Sequence, residues 1–364
     1  MKLLIDAHVF DGHFQGTRTY IEGLYTNMTQ YKDIDFYFAA QKEQQLKSIF
    51  GEDNNVHYIH LNSQGSVHRL VFEYPKIIKK YNIDCAHFQY ISPLRKKCKE
   101  IVTIHDLLFM DYPHFFPLSY RLKNKFFFSR SAKRADLLLT VSNFSKEEII
   151  RYFKIESDKI HITYNSVLQT SQDAIKTNIK NKYNLDKYSL TVSRIEPRKN
   201  HLALLKSFIE LNLAAKGYKL VMVGAKDLQY TAFFDYYNQL PENQQSCVIF
   251  LQVPFDELVA LYRNASLFVF PSLCEGFGIP PIEALIYGCP LLCSNRTAMA
   301  EFEFPDAILF NPNDLHELKG KILNQLENPL DIENYKEKIL SKYDWKRIAE
   351  DYYNILINIS NNEQ

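Results

Sequence analysis

"PSLCEGFGIPPIEALIYGCP", Pro271 to Pro290, sets Glu275 and Glu283 on either side of a turn punctuated by glycine and proline. Just before it, "SLFVFPS" is a short apolar, β-rich run, and "IEALIYG" then carries helical periodicity, so the order is strand, loop, helix. Proline suits the first turn of a helix because its missing N–H would be unpaired there anyway, which starts the helix near Pro281. The amides of Gly276, Phe277, Gly278 and Ile279 and the amino end of that helix can then converge on one space, a setting that favours an anion. Glycine permits close backbone approach and positive φ. The loop is thus a candidate cradle for a phosphate or a sugar, with Glu275 at its rim and Glu283 one turn inside. Taken alone, the stretch equally suits a tight turn with two solvated glutamates, since acids near helix N-termini are common for dipole reasons.

The same strand-to-helix rhythm runs along the chain. "KLLIDAHVF", "IDFYFAA", "VHYIHL", "CAHFQY", "EIVTIHD", "LLLTVS" and "HITYNSV" precede residue 168. "SLTVSRI", "KLVMVGA", "CVIFLQV", "SLFVFPS", "PLLCSN" and "AILFNP" follow residue 187. Strands alternating with helical crossovers imply parallel, doubly wound sheets, and 364 residues exceed what one hydrophobic core usually organises. The expected division is a first Rossmann-like domain over 1–168, a polar linker over 169–187 and a second Rossmann-like domain over 188–340. Residues 341–364 form a closing helix, with Trp345, Ile348, Tyr352, Ile355 and Ile359 at helical spacing.

Composition narrows the function. The opening apolar run "MKLLIDAHVFDG" contains Asp6 and His8 and is too short and polar for a signal peptide or a membrane span, so a cytoplasmic protein is expected. Six cysteines lack any C-x-x-C pair, which leaves free thiols. Residues 1–170 carry a net +5 and the rest −4, too small an asymmetry for nucleic acid, and no RNA-binding signature appears. No D-x-D motif accompanies the sugar-phosphate loop, so neither metal nor cofactor is expected.

Loops that leave strand ends are where ligands sit in open parallel sheets. "SRIEPRKNH" ends the first strand of the second half with Arg194, Arg198 and Lys199, cations suited to a diphosphate, Arg by its fork and Lys as a point charge. Combined with the Pro271–Pro290 stretch, this segment resembles the retaining, nucleotide-sugar-dependent glycosyltransferases of family 4, which have the two-domain GT-B fold. "IVTIHDLLFMDYP", "LLLTVSNFSKEEI", "ITYNSV", "LYRNASLFVFPS" and "YDWKRIAEDYY" extend the resemblance over nearly the whole chain. It implies two Rossmann-like domains facing a cleft, the last helix returning to the first domain, and a nucleotide diphosphate sugar as donor.

Residue by residue, the resemblance implies that Arg194 and Lys199 grip the donor diphosphate. Glu275 lies beside the transferred sugar, Glu283 accepts from the ribose, and the amides of Phe277, Gly278 and Ile279 hold sugar hydroxyls and phosphate. Gly16 matches the glycine whose backbone approaches the diphosphate, and His105 the active-site histidine near the sugar, with Asp106 structural. The chain departs from the pattern at Gln15 and Thr17, where relatives carry a second glycine beside Gly16. It departs again at Gln252, where a glycine usually precedes the base-binding turn. The "TIHDL" context is similar to mannosyltransferases of polysaccharide assembly, which places GDP-mannose ahead of UDP-sugars. Two other classes share these features: a GT-B sugar-nucleotide epimerase, and a catalytically silent nucleotide-sugar-binding homologue.

The acceptor is expected to be a saccharide or a lipid-linked saccharide. Residues 115–134, "FFPLSYRLKNKFFFSRSAKR", hold six basic residues and no acid. A helical wheel groups Lys123, Arg130 and Arg134 with Phe127 and Tyr120 as a face for an anionic bilayer, and assigns Leu118, Leu122 and Phe126 to the core. The alternative is a solvated basic face with its aromatics buried.

Overall fold

The computed structural model describes residues 1–12, 16–63, 65–168 and 178–361, which fall into two compact units, 1–168 with 343–364, and 169–342. In the first unit β1 (Lys2–Asp6), β2 (Asp35–Ala40), β3 (Val56–His60), β4 (Cys85–Gln89), β5 (Lys99–Ile104), β6 (Leu137–Thr140) and β7 (Ile160–Ile162) form one sheet in the order β3-β2-β1-β4-β5-β6-β7. Every pairing in it is parallel. In the second unit β8 (Lys187–Val192), β9 (Tyr218–Val223), β10 (Val248–Leu251), β11 (Leu267–Phe270), β12 (Leu291–Ser294) and β13 (Leu309–Phe310) are ordered β10-β9-β8-β11-β12-β13, again all parallel. Each sheet therefore winds out in one direction from its first strand and then reverses, the doubly wound Rossmann pattern. Leu3 to Ile5 and Leu267 to Phe270 are buried at successive positions, as strands covered on both faces must be.

Helices start and stop where local chemistry allows. Ser142 caps the Asn143–Phe153 helix by accepting from the Ser145 N–H, and Asp314 caps Leu315–Glu327 by accepting from the Glu317 N–H. The terminal helix, Trp345–Asn361, packs on Gly16–Met28 within the first unit. Gly23 makes that approach possible: a Cβ there would lie 2.0 Å from Cε2 of the Trp345 indole. Tyr25 and Tyr352 join hydroxyls at 3.2 Å, and Tyr31 stacks on Tyr353 with ring centroids 3.9 Å apart.

Two expectations change. The segment expected as a linker is in part folded onto the second unit. Ile179–Tyr183 is a helical turn, Ile179 and Leu185 are buried, and Lys182 and Tyr183 bond Glu257. Residues 169–177 lie outside those described. The second change concerns the basic helix, which spans Leu118–Arg134. Leu118, Leu122 and Phe126, assigned to the core from the wheel, are 62%, 63% and 65% exposed. The helix instead buries Asn124, Phe128, Ser131 and Ala132, because Ser131 Oγ accepts from the Ser92 N–H and Phe128 stacks on Tyr90. Arg130 and Arg134, assigned to the bilayer face, donate to the carbonyls of Pro93 and Leu94, and Arg134 also pairs with buried Glu100 at 2.7 Å.

Candidate active site

The second sheet reverses direction between β8 and β11, which are hydrogen-bonded neighbours. That junction brings two loops together at the carboxyl edge, "SRIEPRKN" leaving β8 and "PSLCEGFG" leaving β11. Arg198 O accepts from the Leu273 N–H at 2.8 Å, and Ser272 Oγ also reaches Arg198 O at 3.3 Å. The loops are thus tied by backbone before any charge is considered.

Glu275 is buried at their meeting point. Its carboxylate receives Lys199 Nζ, Arg198 Nη1 at 3.1 Å and Ser272 Oγ at 2.7 Å. Its backbone N–H donates to Thr297 Oγ1 at 2.9 Å, from the turn after β12. Burial pushes the Glu275 carboxyl up, but Lys199 and Arg198 outweigh it and hold the group below its ordinary value. Burial and the adjacent Arg198 charge pull the Lys199 ammonium down, against the opposing attraction of Glu275. The result is an ion triad in which one carboxylate serves two cations, with Arg198 also held by Glu196 at 2.6 Å.

Arg194 stands apart from the triad. It is 60% exposed, with Glu196 at 3.7 Å and Asp227 at 3.5 Å as loose partners, and so retains a guanidinium that an anion can approach. Gly224, which follows β9, lies under this loop at φ +148°, and a Cβ there would meet Ser193 O at 2.1 Å. Only glycine lets the Arg194 backbone pass so close.

Past Glu275, Phe277 and Gly278 are buried, and Gly278 adopts φ +98° as the residue that opens the helix Ile279–Ile286. The helix thus begins at Ile279, slightly earlier than Pro280 and Pro281 alone suggest. A Cβ on Gly278 would touch Met299 Cγ at 3.1 Å. Glu283, within that helix, accepts from the Tyr262 hydroxyl at 2.8 Å. Burial pushes its carboxyl up to about 7, with the Tyr262 hydrogen bond working the other way. Glu275 and Glu283 therefore differ in state near neutrality: one is an ion-paired carboxylate, the other is poised to titrate.

The first unit holds the two remaining candidates. Gly16 begins the Gly16–Met28 helix and is exposed, while its neighbours 13–15 lie outside the described residues. His105, just after β5, is buried; its Nε2 faces Gln89 Oε1 at 2.7 Å, and burial drops its pKa to about 3. It is thus a neutral imidazole. Asp106 accepts from the Leu108 N–H and from Tyr90, holding the turn together.

Sequence reasoning missed Ser272, Thr297, Tyr262 and Gly224, and did not separate Arg198 from Arg194. A glycine at the end of "KLVMVGA" was the only signal for any of them, and it gains meaning only once β9 is known to neighbour β8. Among the described residues, no group of three or more His, Cys, Asp or Glu side chains could hold a metal ion.

Two all-parallel Rossmann-like domains, with a cationic loop and an acidic, glycine-bearing loop at the switch point of the second, are the architecture of the GT-B fold. Residues 173–342 match the family described as glycosyl transferases group 1, and residues 36–167 match glycosyltransferase family 4. Both matches are to glycosyltransferase families, one in each compact unit. O-antigen chain mannosyltransferase B of Escherichia coli is 32% identical over 245 residues, 63% of this chain and 62% of that protein. O-antigen chain mannosyltransferase RfbU of Salmonella typhimurium is 29% identical over 274 residues, 73% of this chain and 70% of that one. The match to the first of these relatives thus spans less than two thirds of its length. Sucrose-phosphate synthase from Thermosynechococcus elongatus shares the fold, with a TM-score of 0.77, 18% identity and 98% of each chain covered.

Proposed function

We propose that the chain is a retaining hexosyltransferase that moves a sugar from a nucleotide diphosphate sugar to a saccharide or lipid-linked saccharide hydroxyl. The observation that carries this proposal is the Lys199–Glu275–Arg198 triad, together with exposed Arg194 on the same β8 loop and the Gly278 helix start. Transfer breaks the bond between the anomeric carbon and the diphosphate, and negative charge grows on the leaving oxygen. Arg194 and the amides at the helix start are preorganised for that charge, Lys199 meets it by exchanging Glu275 for the phosphate, and one preorganised donor is worth about 2.7–4 kcal/mol where measured. The acceptor oxygen forms the new bond on the same face, and its proton passes to the departing phosphate. Glu275 orients the sugar and holds the cations, Glu283 meets the ribose, His105 faces the sugar, and Gly16 approaches the diphosphate.

The mannosyltransferase relatives favour GDP-mannose over UDP-sugars. A peripheral membrane position fits the Leu118–Arg134 helix, which exposes Leu118, Leu122 and Phe126 in a stretch with no acid. None of the described helices is long and apolar enough to cross a membrane. The test is a screen of GDP- and UDP-sugars for hydrolysis and for a thermal shift. GDP-mannose should give the largest stabilisation and a measurable release of GDP, whereas no response to any nucleotide sugar would overturn the proposal.

A further inference from the structure

The loop leaving β1 carries a polar pair that the chemistry above does not use. Asp6, the last residue of β1, is 2% exposed. Its Oδ1 accepts from His8 Nδ1 at 2.6 Å, from the His8 backbone N–H at 3.3 Å and from the Tyr74 hydroxyl. Burial raises the Asp6 pKa, but His8 and Arg69 more than offset it and hold the group at about 2. Asp6 is therefore a carboxylate, and a carboxylate facing Nδ1 fixes the hydrogen on that nitrogen. In the neutral ring the lone pair is then on Nε2. The His8 side chain is 30% exposed, and Nε2 has no hydrogen-bond partner among the described residues.

The position of this imidazole in the fold suggests what it meets. The first sheet reverses between β1 and β4, and ligands of doubly wound sheets sit beyond the carboxyl ends of the strands at such a junction. Asp6 ends β1, Gln89 ends the neighbouring β4, and His105 follows β5. His105 is tied inward to Gln89, whereas His8 turns a basic nitrogen outward from the same edge.

We propose that His8 is an acceptor-binding residue: its Nε2 accepts a hydrogen bond from a hydroxyl of the acceptor saccharide, while Asp6 fixes the ring and its tautomer. No proton is transferred at this contact.

The experiment uses the full chain and rests on the transferase assignment for one of its two readouts. In the first, imidazole nitrogen resonances of His8 are followed while methyl α-mannoside, methyl α-glucoside or inorganic pyrophosphate is added. In the second, two-substrate kinetics are measured for His8→Phe and His8→Gln. Expected are a hydrogen on Nδ1, a saturable shift of Nε2 with a glycoside, and an acceptor KM raised about five- to tenfold in His8→Phe. Donor KM should move less than twofold, and His8→Gln, whose amide oxygen reaches the place of Nε2, should recover much of the loss. An Nε2 signal that answers only to pyrophosphate, or to nothing, overturns the proposal, as does an unchanged acceptor KM in folded His8→Phe. If Nε2 titrates with a glycoside but the wild-type chain transfers no sugar, the saccharide site stands and the transferase assignment falls.

Discussion

Replacing Lys199 by methionine separates a structural ion pair from a group that acts on the donor. Methionine keeps the length and apolar stem and removes only the charge. The Glu275 carboxylate has three side-chain donors, and the change leaves two of them, Arg198 at 3.1 Å and Ser272 at 2.7 Å. Glu275 therefore keeps a counter-charge, and the loss is that of one charged hydrogen bond, about 1.5–3 kcal/mol. For a domain of this size that lowers the midpoint of thermal unfolding by about 3–12 °C. Glu275→Ala is the opposite case, leaving buried Lys199 and half-buried Arg198 without their shared carboxylate, and should cost more, about 3–5 kcal/mol. Catalysis should rank the two changes differently. At saturating donor, Lys199→Met should lose about 10²-fold or more in turnover, because the charge proposed to meet the leaving phosphate is gone. Initial rates and unfolding curves on the same preparations provide the check. Turnover within threefold of wild type in folded Lys199→Met would refute the role of Lys199 in leaving-group stabilisation.

Glu283, with its carboxyl raised to about 7, binds a proton in the folded chain that the unfolded chain has already released. Ligand-free stability should accordingly fall as pH rises from about 4.5 to 7, and Glu283→Gln should flatten that slope in pH-dependent unfolding. On the proposed role of Glu283 as acceptor for the ribose, donor KM should rise as pH falls below about 7, and Glu283→Ala should raise it at all pH values. Gly224→Ala forces a Cβ into Ser193 O and should destabilise the fold by about 1–3 kcal/mol while raising donor KM through displacement of Arg194. A thermal midpoint equal to wild type would rule out that packing. Sedimentation with anionic liposomes should show binding that weakens with salt and is lost in a Leu122→Ser, Phe126→Ser double variant. Binding unchanged by the double variant would remove this helix from the membrane contact.

The strands were legible because both sheets are parallel and covered on both faces, so runs such as "LLI" (Leu3–Ile5) and "LFVF" are apolar without interruption. The face of the Leu118–Arg134 helix was not, because what it buries is partly polar and small. Ser131 goes inward to meet the Ser92 amide, a partner remote in sequence that no wheel can supply. The triad was legible by half for the same reason. Glu275 and Lys199 stood out by spacing and charge, but Ser272, Thr297 and the bonded place of Arg198 depend on β8, β11 and β12 being neighbours. Arg198 then explains a feature that spacing alone leaves odd, two adjacent cations where one would grip a phosphate. In the ligand-free chain Lys199 is already neutralised by Glu275, so reaching a donor phosphate means giving up that pair. With Arg198 as the only cation left on it, Glu275 would keep a counter-charge on the proposed turn of Lys199 to the diphosphate, and the cost of an orphaned buried carboxylate would be avoided.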